Sequence, residues 1–206
     1  MVPISGTEGA SARSPLAGDA IVIAASDLTP AGEADVPAIV ALMNRAYRGS
    51  RESSGWNTET GYIAGDRTTE PLLRADLAAN PDASFLTWSD PRDGALKGCV
   101  WLEPLGDGAW YLGSLAIDPR QQNGGLGRAL LSVAERWARE RGGKRVQMAV
   151  VNVRTELIAW YLRRGYRETG ETNPFPYGDD RFGKPQRDDL CFVVLEKDLT
   201  LSEGAG

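Results

Sequence analysis

A chain of 206 residues, 42% hydrophobic and 25% charged, fits one domain of ordinary size with a full core. Its formal net charge of −5 argues against the basic faces that bind nucleic acid or anionic membranes, and no apolar run approaches the ~18 residues of a membrane span. The absence of histidine removes Ser-His-Asp and Cys-His nucleophile systems, and with only two cysteines it argues against a catalytic zinc site, so no metal is expected.

Residues 1–19 are rich in Ser, Gly, Ala and Pro without periodicity and read as a flexible tail. They lack the basic start and apolar stretch of a secretory signal, which makes the cytoplasm the expected location. Residues 20–25 predict a short apolar strand. Thr29-Pro30 predicts a helix start with proline in its first turn, followed by Val36, Ile39, Val40, Met43 and Tyr47 at helical spacing. Residues 48–67 break into Gly, Ser and Thr with Trp56, Tyr62 and Arg67 interspersed, and read equally as a surface loop with a few anchors or as a ligand lid. Thr69-Glu70-Pro71 opens a second helix to residue 78, which Asn80-Pro81 ends. A strand over 84–88, a turn over 90–94 and a returning strand over 96–103 follow.

Asp107-Gly108 turns the chain into a strand over 109–118, which runs through Pro119-Arg120-Gln121-Gln122-Asn123-Gly124-Gly125-Leu126-Gly127-Arg128 into a helix. That order reads as an anion site, or as a tight strand-to-helix turn that uses its glycines for geometry only. Glycines let the backbone approach a ligand, the first helical amides have no intrahelical acceptors, and Arg128 adds a cation. A Walker loop is excluded because no Gly-Lys-Ser/Thr occurs, and a Rossmann fingerprint because Leu130 stands where its third glycine belongs. Leu126, Leu130, Val133 and Trp137 then line one helix face, and Gly142-Gly143 ends the helix. Val146, Met148 and Val150 alternate as a strand, a helix is expected over 154–164 with Gly165 as its cap, and strands over 166–171 and 190–195 flank a Pro/Gly/aromatic loop. Cys99 and Cys191 read as reduced strand residues, and residues 200–206 as a tail.

The run Gln122-x-x-Gly125-x-Gly127 resembles the coenzyme A pyrophosphate loop of the GNAT superfamily of N-acetyltransferases, and the element order β-α-α-β-β-β-α-β-α-β-β over residues 20–199 resembles that fold. A second stretch, Asn152 followed by Trp160-Tyr161-Leu162-Arg163-Arg164-Gly165-Tyr166, resembles the family's second signature. The resemblance implies an α/β (α+β) domain. Its central sheet would be mixed, mostly antiparallel and of about seven strands, with a V-shaped splay between the parallel strands 109–118 and 145–151, flanked by about four helices. Acetyl-CoA would be the co-substrate, held by the backbone of Leu115, Ala116 and Ile117, by Gln122, Asn123, Gly124, Gly125, Leu126, Gly127 and Arg128, and by Asn152. Tyr161 would face the sulfur.

A phenol there suits the chemistry, since amine attack on a thioester expels a thiolate that a hydroxyl can hydrogen-bond or protonate. Tyr161 also fits as a core aromatic, and Asn152 as a helix cap. The attacking ammonium must lose a proton, for which Glu103 is the candidate base, either directly or through water; it reads as well as a solvated strand-end carboxylate. Trp56, Arg67 and Tyr177 are candidates for the acceptor pocket, with Arg67 or Arg181 able to grip a carboxylate. The expected partner is a small-molecule or peptide amine, and the resemblance adds the prospect of a homodimer through the C-terminal strands. Two functions follow: acetyl transfer from acetyl-CoA to an amine by direct attack, or a non-catalytic acyl-CoA-binding domain.

Overall fold

The computed structural model describes residues 23–24, 27–49, 58–122, 124–179, 181 and 183–200. In chain order its elements are β1 (Thr29–Pro30), α1 (Val36–Arg48), β2 (Ile63–Ala64), α2 (Glu70–Ala79), β3 (Ser84–Ser89), β4 (Leu96–Gly106), β5 (Ala109–Ile117), α3 (Leu126–Glu140), β6 (Arg145–Val151), α4 (Thr155–Leu162), β7 (Arg167–Pro174), β8 (Lys184–Pro185) and β9 (Cys191–Asp198). Seven strands form one sheet in the order β1-β3-β4-β5-β6-β9-β7, mixed and mostly antiparallel, with β5 and β6 its parallel pair. The small β2–β8 pair, two residues on each side, has no sequence signal.

Alternation along β4 shows how the sheet is covered. Val100 and Leu102 point into a core with α3 and α4, whereas Cys99 and Trp101 point into a second core with α1 and α2. Leu126, Leu130, Val133 and Trp137 are buried on α3 as their spacing requires, and Val36, Ile39, Met43 and Tyr47 are buried on α1.

The helix expected from Thr29-Pro30 begins later. Those two residues instead pair with Thr87 and Leu86 at the sheet edge, where a proline without an N–H costs no ladder bond. Asp35 accepts from the Gly32 amide at 2.8 Å and turns the chain, and α1 starts at Val36 with Pro37 in its first turn. Of the strand expected over 20–25, only Ile23 and Ala24 are described, and neither is in a strand. Residues 1–19 lie outside the described residues, as does the C-terminal tail beyond Thr200.

The apolar stripe of α3 carries one charge inward. Glu135, 4% exposed, accepts from the Lys197 ammonium at 2.7 Å and from the Tyr166 hydroxyl at 2.9 Å, which joins α3, β9 and the turn after α4. Removing one partner of such a buried pair costs about 3–5 kcal/mol.

Candidate active site

The register between β5 and β6 runs Ala109 to Arg145, Trp110 to Val146, Tyr111 to Gln147, and stops, although β5 continues to Ile117 and β6 to Val151. Beyond Tyr111 the two strands diverge, and β5 backbone groups on that side have no ladder partner. A bulge lies within the divergence. Cys99 faces Ala116 and Trp101 faces Gly113, so Ser114 and Leu115 both stand against Val100, with Ser114 in the left-handed region at φ +50°. The extra residue inverts the facing of β5: Trp110 and Leu112 lie in the α3 core before it, Leu115 and Ile117 after it.

At the wide end of the gap, buried Asp118 closes a turn by accepting from the Arg120 amide at 3.0 Å and pairs with the Arg120 guanidinium, which holds its carboxyl below the usual range. Gly125 takes φ +80° as the N-cap of α3, a conformation a side chain rarely adopts. Gly127 has a different reason to be small. A β-carbon there would lie 3.7 Å from the Trp160 ring and 3.8 Å from Ile117, an ordinary contact, so the fold itself leaves room for it. Gly124 and Arg128 are exposed beside it, Leu126 is buried as the helix anchor, and Asn123 lies outside the described residues. The side-chain carbonyl of Gln122 is buried without a partner among the described residues. A cation unseen in the sequence joins this end. Arg164 stacks its guanidinium 3.5 Å from the Trp160 ring centre, and burial, with Arg163 and Arg128 nearby, makes it less basic than usual. Its position four residues after Trp160 was the available signal.

At the narrow end three phenols converge from different elements. Tyr161, on α4, packs edge-on against Trp160 and Tyr166 at 5.0 and 5.5 Å and is 5% exposed, which makes it part of the core. Burial pushes its phenol well up, reinforced by Tyr47 and opposed by Arg154. Tyr47, from α1, is pushed up to about 12 by burial against the pull of Arg67 and Arg154, and its hydroxyl donates to the Leu115 carbonyl at 3.1 Å. Tyr111, raised by burial, lays its ring over Gly113, where a β-carbon would come within 2.7 Å of it. Glu103 faces Tyr111 across the ladder, half-buried, and accepts from the Trp101 indole N–H at 3.1 Å.

Next to Tyr47 stands a buried acid that sequence reasoning missed. Glu59, 5% exposed, accepts from Arg48 through one oxygen and from Arg154 through the other, the latter at 3.1 Å. A lone acid in a polar stretch carries no sign of which arginines it meets. Its amide donates to the Tyr47 carbonyl at 2.7 Å, and Tyr62 nearby has a buried hydroxyl without a partner among the described residues. Arg67 is presented by a fixed backbone: Asn44 accepts from the Arg67 amide at 2.6 Å and donates to the Thr68 carbonyl at 2.9 Å. The guanidinium lies 5.3 Å from the Tyr47 ring centre. The segment after residue 58 is thus tied down, and β2–β8 joins it to the 175–190 loop. Gly183 makes that junction possible at φ +87°, since a β-carbon would lie 2.6 Å from the Ala64 carbonyl oxygen.

Two of the expected acceptor residues have partners within the fold. The Tyr177 hydroxyl donates to the Arg187 carbonyl at 3.2 Å and accepts from the Leu190 amide at 2.7 Å, and Arg181 pairs with Asp76. Trp56 lies outside the described residues. Asn152 caps no helix, because the cap position of α4 is Arg154. Its side-chain Nδ2 donates to the Asp189 carbonyl at 2.9 Å and its Oδ1 accepts from the Cys191 backbone N–H at 3.2 Å, which fastens the end of β6 to the start of β9. Among the described residues no group of three His, Cys, Asp or Glu is placed to hold a metal ion, and no helix is long and apolar enough to cross a membrane.

Residues 42–166 match the model of the Acetyltransferase (GNAT) family. The chain is 32% identical over 148 residues to the mycothiol acetyltransferase of Tsukamurella paurometabola, covering 68% of this chain and 47% of that protein. It is 30% identical over 170 residues to that of Acidothermus cellulolyticus, covering 73% and 47%. The chain therefore spans about half the length of these curated relatives. The crystal structure of the ribosomal-protein-S18-alanine N-acetyltransferase from Escherichia coli superposes with a TM-score of 0.59 at 18% identity, covering 87% of this chain and 97% of that one, which establishes the likeness of fold. With the splayed parallel pair, the glycine-opened helix and more than half of the chain matched by the family model, this protein belongs to the GNAT acetyltransferase family.

Proposed function

We propose that the chain transfers the acetyl group of acetyl-CoA to an amine by direct attack, without an acyl-enzyme. The observation that carries this reading is the gap itself. It opens where β5 and β6 part at Tyr111 and Gln147, and runs from the α3 N-terminus, suited to a pyrophosphate, to the phenols of Tyr47, Tyr111 and Tyr161, suited to a thioester. The glycine loop fits the anion by two features: Gly125 supplies the positive φ, and the fold leaves Gly127 space for close backbone approach. The family and the acetyltransferase relatives support the same chemistry.

Roles follow from placement. The amides of Leu126, Gly127 and Arg128 and the cations Arg128 and Arg164 hold phosphate oxygens, and the edge of β5 from Leu115 to Ile117, where Tyr47 already holds the Leu115 carbonyl, offers its other backbone groups to the pantetheine arm. Asn152 serves indirectly by fixing the β6 end. Glu103 takes the ammonium proton, directly or through water, and the freed amine attacks the thioester carbonyl. A C–N bond forms as the C–S bond breaks, and the attacking nitrogen, cationic after the attack, releases its extra proton to water. Tyr161 donates a hydrogen bond to the departing sulfur. Its raised pKa keeps it protonated but makes complete transfer to a thiolate of pKa about 8.5–9 unfavourable, so the thiolate takes its proton from solvent. The products are an acetamide and the free thiol.

The test is a panel of amines incubated with acetyl-CoA and scored by thiol release. Turnover of at least one amine, with acetylated product found by mass spectrometry, supports acetyl transfer. Binding of acetyl-CoA without thiol release from any amine supports the non-catalytic domain.

A further inference from the structure

The start of α3 and the end of α4 meet through one indole. Trp160 would bring its Cζ2 within 3.7 Å of a β-carbon on Gly127, and its ring centre lies 3.5 Å from the Arg164 guanidinium carbon. Arg164 is thereby set off from the amides that open α3 by the breadth of the indole. It is fixed there, since its Nη1 donates to the Trp160 carbonyl at 2.6 Å, while Nη2 and the buried Nε meet no acceptor among the described residues. Arg128 and Arg163 are exposed nearby, and none of the three arginines pairs with a carboxylate among the described residues. Burial, then Arg163 and Arg128, makes Arg164 less basic than usual. Such like charges repel one another, and a bound anion removes the repulsion. A pyrophosphate diester brings about two negative charges, which the α3 amides and Arg128 suit. Arg163 and Arg164 are then a surplus, displaced from those amides. Coenzyme A carries a third phosphate to meet them, a monoester of charge about −1.5 to −2 on the ribose, beyond the pyrophosphate and away from the pantetheine arm.

We propose that Arg164, through Nη2 and with Arg163 beside it, forms a subsite for the 3′-phosphomonoester of coenzyme A, so that the chain selects coenzyme A over its 3′-dephospho form. This rests on the coenzyme A reading of the gap, and the test separates the two.

Calorimetry of the full chain with coenzyme A and with 3′-dephospho-coenzyme A reads the subsite directly, and the comparison in the wild type stands without any variant. Coenzyme A should bind about tenfold or more tightly, the scale of one charge-assisted hydrogen bond. Arg164→Gln should weaken coenzyme A by that factor and leave the dephospho form within about twofold, and Arg164→Lys should restore part of the preference, because the charge returns without the stacked planar fork. Arg128→Gln should instead weaken both ligands alike. Equal affinity of the wild type for the two ligands, or a preference that survives Arg164→Gln, would overturn the subsite and leave the coenzyme A reading standing. An equal loss of both ligands in Arg164→Gln would move Arg164 to the pyrophosphate and overturn the subsite likewise. If neither ligand binds the wild type, both readings fall.

Discussion

The hydroxyl of Tyr47 donates a hydrogen bond of 3.1 Å to the carbonyl of Leu115, the second residue of the bulge in β5. One side chain of α1 thereby fixes the backbone that faces the gap. Tyr47→Phe deletes that bond and leaves the Leu115 carbonyl without its donor. Urea unfolding should give a loss of about 1–2 kcal/mol. Turnover should fall with little change in acetyl-CoA affinity, because the phosphate end lies elsewhere. An unchanged unfolding midpoint would mean that the bond contributes nothing to holding the bulge.

Gly125 and Gly127 should respond differently to substitution, because one is small for its backbone and the other for space. Gly125→Ala places a side chain at φ +80° and should cost about 1 kcal/mol or more of stability. Gly127→Ala adds a β-carbon where the protein alone has room for one, so its melting temperature without ligand should stay within a few degrees of wild type. Its acetyl-CoA affinity, by calorimetry, should drop by about tenfold or more, as backbone approach is blocked. Equal affinity in Gly127→Ala would remove this loop as the pyrophosphate site.

The buried phenols set an alkaline limit. Tyr47 stands at about 12 in the fold against about 10 unfolded, and Tyr161, Tyr111 and Tyr166 are raised in the same direction. A folded pKa above the unfolded one gives stability that is complete below pH 10 and lost as pH rises towards 12. For Tyr47 alone the loss is on the order of 3 kcal/mol. The urea midpoint should therefore hold up to about pH 10 and fall beyond it, in step with phenol ionisation followed by ultraviolet absorbance. Turnover should climb over the same lower range as the acceptor amine deprotonates, with no falling limb from Tyr161 below about pH 10. A falling limb near pH 9 would place an ordinary phenol, or another group, in the reaction.

What could be read from the sequence was local. The turn into a helix at Gly125, the stripe of α3 and the alternation of β6 each lie within one short window, where period and composition decide structure, and these three elements stand as read. Glu59 did not announce itself, because its meaning comes from Arg154, 95 residues away. The bulge at Ser114 was equally silent: a serine at positive φ is dictated by the register with β4, not by its neighbours in the chain. Thr29-Pro30 misled for the opposite reason, since a good helix-start dipeptide serves equally well at a sheet edge, and only β3 alongside settles which. Tyr177 and Arg181 read as pocket candidates because aromatics and arginines in loops often are, and their partners Leu190 and Asp76 lie too far along the chain for that reading to foresee.

Tyr161→Phe tests whether the phenol at the narrow end does chemistry. The substitution keeps the ring that packs against Trp160 and Tyr166, so the core around α4 should survive, and coenzyme A affinity should change little. A hydroxyl that meets the sulfur only as the C–S bond breaks contributes in the transition state and not in the ground state. Its removal should lower kcat by roughly 10- to 10⁴-fold, with kcat/KM falling by the same factor and KM unchanged. A hydroxyl that is merely part of the core would instead shift stability by about 1–2 kcal/mol and leave kcat alone. Because burial raises the pKa of Tyr161, its hydrogen bond would do most for a leaving group that departs as an anion. The deficit should therefore shrink with an activated acetyl thioester whose thiol has a pKa several units below that of coenzyme A, since that sulfur leaves without help. A deficit of the same size for both thioesters would mean that Tyr161 does not serve the sulfur.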